Sequence, residues 1–207
     1  IYVCTDGDGL IIWNARTGDT EHITAGTRGL KSNSIRCAYK DHENRVWLGT
    51  YLKGLQEYCP DTKTFSGFEN NPDDPESLSN NDVTSIVEDR LGNLWIGTNG
   101  GGLNLLNKQT GTFRRFKKND SNPQKSIINN HITHLFVDSH GYLWITTFWG
   151  LSRMDPARGD VKNFSLMGYN NTYNCVMEDS KQRFWAGTTM GLKLLDINGG
   201  TFQVFST

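Results

Sequence analysis

The sequence has no surplus of either charge: 21 basic side chains stand against 22 acidic ones, a formal net charge of −1. Without a basic excess there is nothing to grip a phosphate backbone, so the chain is expected to contact no nucleic acid. It lacks any apolar run near the roughly 20 residues that cross a bilayer. Its opening Ile1-Tyr2-Val3-Cys4 also lacks the charged and apolar zones of a signal peptide, so this segment is expected to be soluble and to make no membrane contact. Proline is scarce, at five, and the four cysteines, Cys4, Cys37, Cys59 and Cys175, form no Cys-x-x-Cys pair, which removes the zinc and redox signatures. Helical periodicity is missing too, since no long segment carries apolar residues at three-and-four spacing without glycine intervening.

Glycine and aromatic bulk are what the chain does have. Its 207 residues include 22 glycines, many in Gly-Thr, Gly-Gly and Asn-Gly contexts, and 11% aromatics, six of them tryptophan. Tight turns in that number point to an all-β chain, and the apolar content is enough to bury a core.

A motif recurs around Trp47, Trp95, Trp144 and Trp185, at spacings of 48, 49 and 41 residues, and Tyr2 fills the same place 45 residues before Trp47. The copies read Arg-Val-Trp-Leu-Gly-Thr (45–50), Asn-Leu-Trp-Ile-Gly-Thr (93–98), Tyr-Leu-Trp-Ile-Thr-Thr (142–147) and Arg-Phe-Trp-Ala-Gly-Thr (183–188). Periods of roughly 40 to 50 residues belong to propellers or helical repeats, and the missing helical pattern leaves propellers. In the clearest copy, 83–87 is a near-continuous apolar run suited to an innermost strand, 89–92 a hairpin turn, 94–98 the second strand, 103–107 the third and 112–116 the outer fourth. Four antiparallel strands make one blade, and a blade hides its faces only by packing on its neighbours. The expected architecture is therefore an arc of blades at 1–23 (incomplete), 33–68, 81–116, 130–164 and 171–205, joined by polar loops at 25–32, 69–80 and 117–129. The four tryptophans read as blade-to-blade packing. The first blade has no innermost strand, so the arc is expected to be cut from a longer ring.

The stretch 81–103 reads Asn-x-Val-x-Ser-Ile-x-Glu-Asp-x-x-Gly-Asn-Leu-Trp-Ile-Gly-Thr-x-x-Gly-Gly-Leu, and 33–55, 130–151 and 171–192 repeat it with losses. This pattern resembles the two-component regulator propeller repeat. The resemblance implies a fragment of a seven-bladed propeller, within the periplasmic portion of an inner-membrane hybrid histidine kinase. It further implies a non-catalytic segment that senses oligosaccharides released from polysaccharides and signals through domain packing. Implied partners are the glycan, neighbouring propeller and immunoglobulin-like domains of the same protein, and a second copy in a homodimer; no cofactor is implied. The alternatives are a propeller enzyme resembling the streptogramin lyases, which would need clustered His and Glu at the axis, and an interaction scaffold. Cys4 and Thr146 depart from the glycine represented by Gly97, and Gln182 from the turn glycine represented by Gly92, where it should strain its turn.

The recurring Asp41, Asp89, Asp138 and Asp179 stand before hairpin turns and read as turn caps rather than a carboxylate ring. The cysteines are expected to be free thiols. His131 and His134 fall on opposite faces if the strand alternates, unlike paired metal ligands. The basic run Arg114, Arg115, Lys117 and Lys118 reads as a solvated edge that discourages sheet-to-sheet association. The places where the copies diverge are the turns after the second strand. Aromatic faces stack on sugar C–H surfaces and amides bond hydroxyls, so Tyr51, Asn99, Phe148 and Trp149 are the candidate ligand-binding residues.

Overall fold

The computed structural model describes residues 1–164 and 172–205. Asn171, the first residue of the last repeat, lies outside the described residues. The strands form five antiparallel meanders. A three-stranded sheet holds β1 (Tyr2–Cys4), β2 (Leu10–Trp13) and β3 (Thr20–Ile23). Four-stranded sheets follow: β4 (Ile35–Lys40) to β7 (Thr64–Phe68), β8 (Val83–Glu88) to β11 (Thr112–Phe116), β12 (Ile132–Val137) to β15 (Val161–Phe164), and β16 (Tyr173–Glu178) to β19 (Thr201–Phe205). The second strands are β5 (Val46–Thr50), β9 (Leu94–Thr98), β13 (Leu143–Thr147) and β17 (Phe184–Thr188); the third are β6 (Leu55–Cys59), β10 (Gly102–Asn107), β14 (Gly150–Met154) and β18 (Gly191–Asp196). First strands pack on first strands, β4 on β8, β8 on β12 and β12 on β16. The chain is thus all-β, a fragment of a propeller.

Between the sheets lies the core. Trp47 of the second sheet packs among Val83, Ile86, Leu94 and Phe113 of the third; Trp95 among Ile132, Leu135 and Leu143 of the fourth; Trp144 among Val176, Phe184 and Leu195 of the fifth. Each indole is therefore shared across a seam. The sheets approach so closely that a Cβ on Gly97 would stand 2.6 Å from the Ile132 Cγ2, which explains glycine there. Thr146 fills the equivalent place by putting its hydroxyl to use, bonding the His134 carbonyl at 3.1 Å and the Thr133 hydroxyl at 2.8 Å.

The recurring aspartates cap their turns and do more. Asp89 accepts the N–H groups of Leu91 and Asn93 on Oδ1, while its Oδ2 accepts the Trp95 indole N–H at 2.8 Å. The indoles of Trp47, Trp144 and Trp185 are held the same way by Asp41, Asp138 and Asp179, at 2.9, 2.7 and 2.9 Å. One side chain thus closes the hairpin and orients the packing indole. Gln182 does take the left-handed backbone of the turn, with φ +59°, where Gly92 and Gly141 sit at +81° and +89°.

Linking loops climb over the outer edge of the sheet they lead into. Phe65 on β7 donates its N–H to the Arg28 carbonyl at 2.9 Å, and Phe113 on β11 donates to Glu76 at 2.6 Å. Arg115 is part of this strap rather than a solvated edge. Its guanidinium donates to the carbonyls of Ser77 and Asp74 and to the Ser77 hydroxyl. Covering an edge strand in this way removes unpaired donors that would otherwise template association.

Candidate functional site

Each second strand ends in Thr, and that hydroxyl pins the following turn. Thr50, Thr98, Thr147 and Thr188 donate to the carbonyls of Gly54, Gly102, Gly150 and Gly191 at 2.7 to 2.8 Å, and Thr5 does the same to Gly9. The residue after this Thr is presented at one end of the propeller: Asp6, Tyr51, Asn99, Phe148 and Thr189. A second ring comes from the innermost strands. Register shifts interrupt β4, β8, β12 and β16 at one equivalent place, and the extra residues are Arg36, Thr84, Thr133 and Asn174. A bulge re-aims the side chain it inserts. Arg36, Thr84, Thr133 and Asn174, with Asp6, Tyr51, Asn99 and Phe148, line one hollow of about 730 Å³ at the axial end.

Three of the four residues singled out from sequence therefore meet in this hollow. Trp149 does not line it; its side chain is 64% exposed, one residue beyond the rim position that Phe148 occupies. The bulge also removes the alternation argument for His131 and His134, because the register shift falls between Ile132 and His134. His131 stands at the rim, whereas His134 is half-buried, and that burial pushes its imidazole below the ordinary value.

A continuous chain of contacts ties the rim together across three sheets. The Arg36 guanidinium lies 4.9 Å from the Tyr51 ring and pairs with buried Asp82, Nε to Oδ1 at 2.8 Å and Nη2 to Oδ2 at 3.2 Å. Asn99 donates to Asp82 Oδ2 at 3.0 Å, and its Oδ1 meets His131 Nδ1 at 2.8 Å. His131 in turn stacks on Phe148, with centroids 5.1 Å apart and planes within 9°. Tyr51 and Phe148 each have one face backed by a polar partner. Beneath them Thr84 donates to the Ile132 carbonyl at 2.8 Å and Thr133 to the Tyr173 carbonyl, so the inner ring also fastens neighbouring sheets.

Arg36, Thr84, Thr133 and Asn174 escape sequence reading because a one-residue bulge is invisible to a two-residue period. Asp6 could have been found, since it follows Thr5 as Tyr51 follows Thr50.

A larger groove of about 1000 Å³ opens at the hairpin end between the second and third sheets. Its buried cation, Lys108, is already spoken for. Lys108 bonds Asp41 at 2.9 Å and Glu88 at 2.8 Å, and Glu88 also accepts from the His42 ring and backbone. Burial would raise the Asp41 and Glu88 carboxyls, but the hydrogen bonds from Lys108 and their other donors outweigh it and hold both below the ordinary carboxylate range. The four cysteines are free thiols, and burial pushes Cys37 up to about 12, so it is no nucleophile at neutral pH. Among the described residues no three His, Cys, Asp or Glu side chains are grouped to hold a metal ion, and no helix is long and apolar enough to cross a membrane.

A family model described as two component regulator propeller matches residues 29–52, 77–100 and 126–149, each ending at the rim turn. None of the curated proteins matches the chain. Among solved structures, the extracellular domain of BT3049 from B. thetaiotaomicron, described as a hybrid two component system, is 27% identical with a TM-score of 0.78. That similarity covers 98% of this chain and 28% of the other, so the chain spans under a third of that relative's length. Virginiamycin B lyase from Staphylococcus aureus is 13% identical with a TM-score of 0.73, over 99% of this chain and 68% of the lyase. PorZ, of the type-IX secretion system of Porphyromonas gingivalis, is 16% identical with a TM-score of 0.73, over 100% of this chain and 32% of PorZ. These last two share the fold alone.

Proposed function

From the two-component regulator propeller repeats that the chain carries at 29–52, 77–100 and 126–149, we propose that it is a non-catalytic sensing segment of a periplasmic, membrane-anchored hybrid two-component receptor. Its ligand is an oligosaccharide released from a polysaccharide, and its site is the axial hollow. The observation that carries this reading is the rim itself. Tyr51 and Phe148 offer aromatic faces already backed on one side, and Asn99, Thr84, Thr133 and Asn174 supply amides and hydroxyls around them. Sugar rings stack their C–H faces on such aromatics while their hydroxyls take polar partners.

A bound ligand signals only if it favours one domain arrangement over another, so the hollow would act by biasing how this propeller packs on its neighbouring domains or on a second copy. The kinase domain that would read the change is proposed on the same ground.

Calorimetric titration with oligosaccharides from several polysaccharides tests the reading. Tyr51→Ala and Phe148→Ala should each weaken binding by about tenfold, the worth of one aromatic contact. Trp149→Ala should weaken it less than Phe148→Ala. Conversion of the sugar during titration would favour an enzyme of the lyase type, and silence across all the sugars would remove the hollow as a saccharide site.

A further inference from the structure

Two carboxylates bear on the polarity of the hollow: Asp6, which lines it, and buried Asp82, which stands behind Arg36. Asp82, paired with Arg36 through both oxygens, can only accept hydrogen bonds. Asn99 must therefore turn its NH2 toward Asp82, which leaves its Oδ1 facing His131 Nδ1 at 2.8 Å. That oxygen can only accept, so His131 Nδ1 carries the proton of this bond. The threonine hydroxyls spend their protons on the Ile132 and Tyr173 carbonyls, so they can meet a ligand only as acceptors, and Thr133 already faces the Thr146 hydroxyl at 2.8 Å. Among the described residues Arg36 is the one cation that lines the hollow, and its charge is already neutralised by Asp82. Lys53, on the turn beside Tyr51, is not among the lining residues. Asp6 is the remaining lining charge among the described residues; the Ser34 hydroxyl donates to its Oδ1 at 2.5 Å, and the side chain is otherwise exposed.

We propose that this hollow selects its saccharide by charge, accepting neutral or amine-bearing sugars and rejecting uronates and sulfated sugars, with Asp6 and Asp82 as the determining residues. The inference rests on the hollow being a saccharide site. With Arg36 balanced by Asp82 behind it, the charge left over at the hollow is the Asp6 carboxylate, which complements hydroxyl and ammonium donors, whereas a carboxylate or sulfate brings a like charge and no proton to share.

Three sugars of one ring framework, glucose, glucosamine and glucuronate, separate the possibilities when titrated at equal ionic strength against the backbone amide signals of Asn99 and Gly100. Glucose and glucosamine should shift these signals, and glucuronate should need about tenfold more to do so. Asp6→Asn should bring glucuronate to within about threefold of glucose, and Asp82→Asn, by releasing Arg36, should favour glucuronate further. Glucuronate binding as well as glucose, or a gap unchanged in Asp6→Asn, would overturn the charge selection and leave the saccharide site standing. No shift with any of the three would overturn the saccharide reading and the selection together. Asp6 is exposed, so its variant carries the test even if Asp82→Asn fails to fold.

Discussion

Asp89 satisfies four donors with two oxygens: the N–H groups of Leu91 and Asn93, the Asn93 side chain, and the Trp95 indole. Both Asp89 and Trp95 are buried, so no water replaces the carboxylate if it is removed. Each abandoned buried donor costs about 1–3 kcal/mol, and Asp89→Ala should therefore destabilise by more than about 3 kcal/mol. Asp89→Asn keeps the shape but must point an NH2 at one set of donors, so it should fall between Ala and wild type. Urea denaturation of the two variants checks the order. A result in which Asn matches wild type would reduce the residue to a simple turn former. The turn-capping half of this role is legible in the sequence, because Asp before x-x-Gly is a local signal. The indole half is not, since Trp95 lies six positions on and comes alongside Asp89 only through the hairpin register.

At the scale of elements, the hairpin β8–β9 and the third-sheet turn after β10 are joined to the second sheet through one buried cluster. Lys108 reaches from that turn to Asp41 and Glu88, and Glu88 accepts from His42. The carboxyls of Asp41 and Glu88 are held below the ordinary value, so their stabilisation is present above about pH 4 and is lost as pH falls through their lowered folded-state values. The Lys108 ammonium is opposed by its own burial, but its two carboxylate partners outweigh this and raise it, so its contribution holds below about pH 10.4 and fades above. Lys108→Gln should lower the denaturation midpoint at pH 7 and also flatten the fall between pH 5 and pH 2, because the carboxyls then titrate nearer their unfolded values. An equally steep acid limb in the variant would place the acid sensitivity elsewhere. The elements themselves were readable: glycine and aspartate mark the turns, and apolar runs mark the strands. The bulges at Arg36, Thr84, Thr133 and Asn174 were not, because an inserted residue changes no composition and hides in the alternation. The hollow was readable only where its rim repeats, after Thr50, Thr98 and Thr147.

For the whole molecule the question is how far a disturbance at one seam travels. The seam between the fourth and fifth sheets is clasped at both ends. Near the hollow Thr133 donates to the Tyr173 carbonyl, and at the hairpin end the Ser139 N–H and hydroxyl donate to Glu178 at 2.7 and 2.6 Å. Between the clasps Trp144 is packed among Val176, Phe184 and Leu195, a third attachment that either clasp alone leaves in place. In a stack of sheets each unit touches only its neighbours, so stability is close to a sum of sheet and seam contributions. Glu178→Gln and Thr133→Val should accordingly each raise amide exchange in β12 and β16, the strands on either side of the seam, while β8 keeps its protection. The two substitutions lie at opposite ends of one rigid contact, and together they should cost more than their sum as the indole between them loses its grip. Equal loss of protection in β8, β12 and β16 would mean that the sheets open as a single unit. In that case a ligand spanning Tyr51 and Phe148, which belong to the second and fourth sheets, could not act by adjusting one seam and would have to move the propeller as a body.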